Sequence, residues 1–232
     1  FETAAHLRLG GPPCIYVGHP MIERVAELRP NADELRRRNS DPTVVLVLPG
    51  SRTGEICRLL AIFGAAIARV AQLIGPMDLV LPTVPHLFDR VSAEVAGWTV
   101  RPRVTVESAE KWAKFRVARA ALAASGTVTL ELALAGVPMV GAYRLSLIEE
   151  AVARAMRSRE ISTIILANLV IGENIVPQFV QRDCTPEKLA NALVPLVSDA
   201  PERRRQVEAF ARLDAIMAIG EAKPISKAAA LA

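Results

Sequence analysis

The sequence predicts an α/β protein: an open parallel sheet with helices on both faces, a Rossmann-like arrangement. Three observations carry this. Val44-Val45-Leu46-Val47-Leu48 is a continuous apolar run, the pattern of a parallel strand buried on both faces. A stretch of helical period follows, with Ile56, Leu59, Leu60, Phe63, Ile67, Val70 and Ile74 on one face. From there strands and helices alternate, and such alternation specifies a parallel sheet that binds ligands at the carboxyl ends of its strands.

The elements follow in order. Gly75-Pro76 stops the first helix, Asp78–Thr83 reads as the second strand and His86–Val95 as a helix. Arg103–Val106 is a third strand, and Ser108–Arg119 a helix with Trp112, Phe115 and Val117 as its apolar positions. Ala121–Ala124 makes a short strand of small residues, Val128–Ala135 a helix closed by Gly136, and Val137–Gly141 the next strand. Leu147–Arg157 reads as helical and Ile164–Leu169 as extended. Thr185-Pro186-Glu187 opens a helix to Val197 with a cap and a first-turn proline. Pro201–Met217 places Val207, Phe210, Leu213 and Met217 on one helical face. The expected organisation is a remnant of a preceding domain at 1–18, a linker and helix at 19–42, the Rossmann-like domain at 43–200, and a helix and tail at 201–232. Phe1 opens what reads as the end of a helix, so the chain is expected to start inside a longer protein.

Composition narrows the function classes. A net charge of +4 suits an anionic ligand or membrane surface, but aromatic residues are only 4%, which argues against a base-stacking nucleic-acid platform. Cys14, Cys57 and Cys184 are scattered, as are His6, His19 and His86, so neither a disulfide framework nor a metal site is expected, and a reducing compartment is. No apolar stretch is expected to reach the roughly 20 residues of a membrane span, and no signal peptide is read. Arg36-Arg37-Arg38, before the linker-like Asn39-Ser40-Asp41-Pro42, and Arg203-Arg204-Arg205 read as solvated faces.

Three segments can carry chemistry. Pro49-Gly50-Ser51-Arg52, followed by Glu55, ends the first strand. Gly50 permits close approach of a ligand, Ser51 offers a hydroxyl, and Arg52 offers a fork of donors to a phosphate. The same residues fit a plain strand-to-helix turn with an exposed arginine. Ser125-Gly126-Thr127, with Glu131 one turn into the next helix, is the second. Its backbone N–H groups and helix dipole can hold a diphosphate, and the Glu131 carboxylate can accept hydrogen bonds from a ribose diol. The plainer reading is a capped helix whose Glu131 complements the dipole. The third segment, Asn168 through Gln178 with Gly172, Glu173 and Asn174, is a candidate substrate loop or an ordinary glycine turn.

Taken in order, these motifs resemble the lipid-A-disaccharide synthase family. The stretches are Tyr16-Val17-Gly18-His19-Pro20, Leu48-Pro49-Gly50-Ser51-Arg52 with Glu55-Ile56, Ala124-Ser125-Gly126-Thr127 with Leu130-Glu131, Val137-Pro138-Met139-Val140 with Tyr143-Arg144, Asn168-Leu169 through Val176-Pro177, and Cys184-Thr185-Pro186-Glu187-Lys188-Leu189. The resemblance implies the donor-binding half of a GT-B fold. It implies transfer of 2,3-diacylglucosamine from its UDP conjugate to 2,3-diacylglucosamine 1-phosphate (lipid X), with inversion and with no metal or cofactor. It further implies UDP contacts at Gly50, Ser51, Arg52, Ser125, Gly126, Thr127 and Glu131, and a donor loop at Asn168, Gly172, Glu173, Asn174 and Gln178. The acceptor site and the base would lie in an amino-terminal domain. The implied partners are the UDP-sugar donor, the acyl-sugar phosphate acceptor and the inner face of a bacterial inner membrane, held peripherally, with no nucleic acid. A homodimer is left open. Gln178 stands where the family commonly has glutamate, and Glu173-Asn174 where many members have Arg-Glu. A UDP-N-acetylglucosamine epimerase-like enzyme and a non-catalytic UDP-binding module are the alternatives.

Overall fold

Six strands, β1 (Thr43–Leu48), β2 (Met77–Pro82), β3 (Arg103–Thr105), β4 (Ala120–Ala124), β5 (Met139–Tyr143) and β6 (Gln178–Val180), form one parallel sheet in the order β3-β2-β1-β4-β5-β6. The computed structural model describes residues 18–106, 108–146, 163–217 and 224. The helices among these are α1 (Val25–Leu28), α2 (Ala32–Arg38), α3 (Thr53–Ile74), α4 (Phe88–Val95), α5 (Ser108–Val117), α6 (Val128–Leu134), α7 (Leu166–Ile171), α8 (Pro186–Val197), α9 (Pro201–Ala211) and α10 (Leu213–Ile216). The expected helix at Leu147–Arg157, the remnant at 1–18 apart from Gly18, and the tail from Ser226 lie outside the described residues.

Period-two alternation in β1 divides the core. Val44, Leu46 and Leu48 join a cluster with residues of α5, α6, α7 and α9, whereas Val45 and Val47 join the opposite cluster with residues of α3, α4 and α8. Both faces of the strand are thus buried, as its unbroken apolar run requires. β4 sits at the centre between β1 and β5, and all its residues are buried. By length and composition α3 passes the test for a membrane span, against expectation. Here it is a core helix: Ile56, Leu59, Leu60, Phe63, Ala66, Ile67 and Val70 are fully buried.

Several expectations are corrected. The extended stretch expected at 164–169 gives way to helix after Ile165, which is itself extended; α7 occupies Leu166–Ile171 and ends at Gly172 with φ +80. Leucine and alanine favour a helix over this stretch, and side-chain bonds fix its two ends. The Thr163 hydroxyl accepts from the Ile165 N–H at 3.1 Å, and the Asn168 amide oxygen accepts from the N–H groups of Ile175 and Val176. The chain then adds β6, which the local pattern did not announce. The strand expected at Val137–Gly141 runs Met139–Tyr143. The final helix breaks at Arg212, and although Phe210, Leu213 and Met217 are buried, Val207 is 39% exposed.

Neither arginine run is a wholly solvated face. Arg38 is buried and its guanidinium donates to the carbonyls of Phe115, Arg116, Ala135 and Gly136, closing the carboxyl ends of both α5 and α6. Burial pulls its pKa down to about 10. Arg203 is likewise buried and donates to the carbonyls of Arg119 and Leu196. Gln206 pairs with both backbone groups of Met139, tying α9 to the start of β5.

Candidate functional site

The strand order reverses between β1 and β4. The chain leaves β1 outward to β2 and β3, then returns to place β4 on the other side of β1. Such a switch point opens a crevice at the carboxyl ends of the two strands. A cleft of about 480 Å³ lies there, walled by Gly50, Ser51, Arg52 and Glu55 after β1, by Ser125–Val128 and Glu131 after β4, by Pro82–Pro85 after β2, and by Val106 and Lys111. Both glycine turns that the sequence singles out therefore meet in one place.

The turn after β1 satisfies itself. Gly50 has φ +110, and a Cβ there would strike the Glu55 side chain. Glu55 reaches back from the first turn of α3, and its Oε2 accepts from the N–H groups of Ser51 and Arg52 at 3.2 and 3.4 Å. Its other oxygen pairs with the Arg52 guanidinium at 2.9 Å. The Glu55 side chain is 9% exposed and the Arg52 side chain 81%, so the carboxylate is built into the wall while the arginine reaches into solvent.

The turn after β4 is open. Gly126 has φ +156, and no atom lies within 4 Å of where its Cβ would be. Among the described residues no acceptor takes the N–H groups of Gly126, Thr127 or Val128; the first bonded donor of α6 is Thr129, to the Gly126 carbonyl. The Ser125 hydroxyl donates to the Ile164 carbonyl at 2.5 Å. Glu131 lines the cleft one turn further on and pairs with Lys111 at 2.6 Å. On the far wall the Thr83 hydroxyl is buried without a hydrogen-bond partner.

The third segment is placed differently. Asn168 is buried, and its side chain bonds Thr163, Ile175 and Val176. Glu173 is exposed and pairs with Arg212 at 2.7 Å, a bond that holds its carboxyl below the usual range. Gly172 and Asn174 are exposed. Gln178 accepts from the Thr163 hydroxyl and the Ile164 N–H. None of these five lines the cleft. Gln178 is tied to it indirectly, because its side-chain oxygen accepts from the Ile164 N–H and the Ile164 carbonyl accepts from the Ser125 hydroxyl. Sequence reasoning missed Lys111, Thr83 and Val106. The wall at Thr83 and Val106 follows strand ends and was open to inference; Lys111 looks like any solvated helix lysine until the fold sets it beside Glu131. Among the described residues no three His, Cys, Asp or Glu side chains converge as a metal set would.

A family model described as Lipid-A-disaccharide synthetase matches residues 1–229. The chain belongs to the lipid-A-disaccharide synthetase family. Among relatives of that name, the chain is 55% identical over 224 residues to the lipid-A-disaccharide synthase of Bradyrhizobium diazoefficiens, covering 97% of this chain and 57% of that protein. The synthase of Nitrobacter winogradskyi is also 55% identical, over 229 residues, covering 99% of this chain and 57% of that protein. The chain thus spans a little over half the length of these relatives. Solved structures share the fold at low identity. WaaG, a glycosyltransferase involved in lipopolysaccharide biosynthesis, aligns with TM-score 0.54 and 19% identity over 95% of this chain and 55% of that one. A structure assigned as a UDP-N-acetylglucosamine 2-epimerase from Listeria monocytogenes aligns with TM-score 0.60 and 14% identity over 98% and 55%. The parallel sheet is therefore one Rossmann-like half of a GT-B architecture. Fold alone does not separate a transferase from an epimerase.

Proposed function

We propose that this chain is the UDP-sugar-binding part of an inverting hexosyltransferase. The reaction moves 2,3-diacylglucosamine from UDP-2,3-diacylglucosamine to the acyl-sugar phosphate acceptor, giving lipid A disaccharide 1-phosphate and UDP at the inner face of a bacterial inner membrane. The observation that carries this reading is the open turn after β4: three N–H groups without acceptors at a helix start, in a cleft that also holds Arg52 and Glu131. As the bond between the anomeric carbon and the diphosphate oxygen breaks, negative charge grows on the leaving group. Donors fixed in advance toward that charge lower the barrier most, and the Gly126–Val128 amides are such donors. Arg52 adds mobile positive charge, and Glu131 accepts from the ribose diol.

Amide chemical shifts test the reading directly. Titration with UDP should move the Gly126, Thr127 and Val128 resonances strongly and those of Ser51 and Arg52 less, since the latter N–H groups are already bonded. Unmoved Gly126–Val128 resonances at saturating UDP refute the assignment. The chain by itself should bind UDP yet make no measurable disaccharide. Holding two substrates in one geometry supplies roughly 7–11 kcal/mol of a barrier, and the acceptor positioning is assigned to the remainder of the longer relatives. Turnover near roughly 1 s⁻¹, ordinary for an intact enzyme, contradicts that division of labour.

A further inference from the structure

Lys111 and Glu131 are 20 residues apart in the chain. They lie on separate helices that share one core cluster on the same side of the sheet, and the fold brings Lys111 Nζ within 2.6 Å of Glu131 Oε2. Both side chains wall the cleft, Lys111 being 29% and Glu131 15% exposed. The lysine is itself held: its ammonium lies 5.3 Å from the ring centroid of the fully buried Phe115, one turn along α5. Among the described residues one carboxylate oxygen of Glu131 is engaged. Among the described residues no donor reaches Oε1. The other charged groups near this pair are Arg24, which stacks on Trp112 at 3.9 Å and feels the Glu131 charge, and, across the cleft, Arg52 with Glu55.

We propose that Lys111 is a positioning residue for ligand specificity. It fixes the rotation of the Glu131 carboxylate through Oε2, so that Oε1 is presented as a charged acceptor to the vicinal diol of a ribonucleotide. The inference rests on the reading of the cleft as a UDP site and adds to it the device that separates ribo- from deoxyribonucleoside diphosphates. The physical basis is twofold. A carboxylate this deep in the wall has lost most of its hydration and is kept there by an ion pair. A carboxylate free to rotate forfeits part of each new hydrogen bond to the cost of being ordered. The lysine meets both costs before the ligand arrives.

The experiment measures affinity of the full chain for UDP and for 2',3'-dideoxy-UDP by calorimetry in wild type, Lys111→Met, Lys111→Arg, Glu131→Gln and the Lys111→Met/Glu131→Gln double variant. Hydrogen bonds to a charged acceptor set the expected wild-type preference for UDP at roughly tenfold or more. In Lys111→Met that preference should collapse to within about threefold, on top of a loss on the order of two- to fivefold common to both ligands from removing a cation from the wall. Lys111→Arg should restore the preference, and in the Glu131→Gln background Lys111→Met should not alter it further. A merely structural lysine would weaken both ligands equally and leave the ratio unmoved, which overturns the inference while the UDP site stands. Failure of the wild-type chain to bind UDP overturns the site and this inference together. If Lys111→Met does not melt cooperatively, Lys111→Gln supplies the same comparison: a collapsed ratio supports the positioning role and an unmoved ratio overturns it.

Discussion

After β1 the chain turns at a glycine with φ +110 and enters α3; after β4 it turns at a glycine with φ +156 and enters α6. The two turns stand side by side at the switch point and look alike in sequence: buried strand, glycine, hydroxyl, helix, acidic residue. Their electrostatics differ. Glu55 folds back onto the N–H groups of Ser51 and Arg52, whereas Glu131 turns away to Lys111 and leaves the Gly126–Val128 amides open. A helix start is an anion site only while its donors are still open. One carboxylate in the first turn of each helix decides the matter by where it reaches.

The sharpest way to break this comparison is through the glycines. Gly50→Ala places a Cβ against the Glu55 side chain at a positive φ and should cost about 3 kcal/mol of stability. Gly126→Ala meets open space and should cost only about 1 kcal/mol. Urea unfolding of the pair measures the gap, and equal losses would show that the Glu55 collision is irrelevant. Next in size is Thr127→Pro. Thr127 already has φ −58, which suits proline, and its N–H is unbonded among the described residues, so the fold should tolerate the change. UDP affinity should fall ten- to hundredfold, the loss of one hydrogen bond to a charged group at about 1.5–3 kcal/mol. An unaltered calorimetric affinity removes the backbone cradle from the site. The smallest effect is expected at Glu55→Gln. Removing a like charge from the wall and releasing Arg52 should tighten UDP on the order of two- to fivefold, the scale of about 1 kcal/mol for charges near a solvated surface. Weaker binding would mean that the carboxylate aims Arg52 at the ligand.

Much of this arrangement was legible in the residues. The Val44–Leu48 run, the small-residue strand at Ala121–Ala124 and the breaks after each announced a buried parallel sheet with two glycine turns at its carboxyl end, because glycine and periodicity act locally. What escaped is what side chains decide at long range. The ends of helix α7 are set by Thr163 and Asn168, which bond the backbone on either side of it. Glu55 was visible beside Arg52, but whether it caps the helix or meets a ligand depends on a rotamer. Half of the usual capping signature is absent too, since arginine precedes the helix where serine or threonine would mark a cap. Lys111 finds Glu131 only once two helices are packed.

Arg38 carries a consequence for how the molecule comes apart. One guanidinium in α2 supplies the donors for the last carbonyls of two helices, α5 and α6, that flank β4. A cut that removed residues through Pro42 would strip those four carbonyls of the donor that closes them. Composition at Asn39–Pro42 suggests a tether, yet the stretch before it is wired into the sheet domain, and the two should melt as one cooperative unit. In hydrogen exchange, the amides of α2 should open no earlier than those of α5.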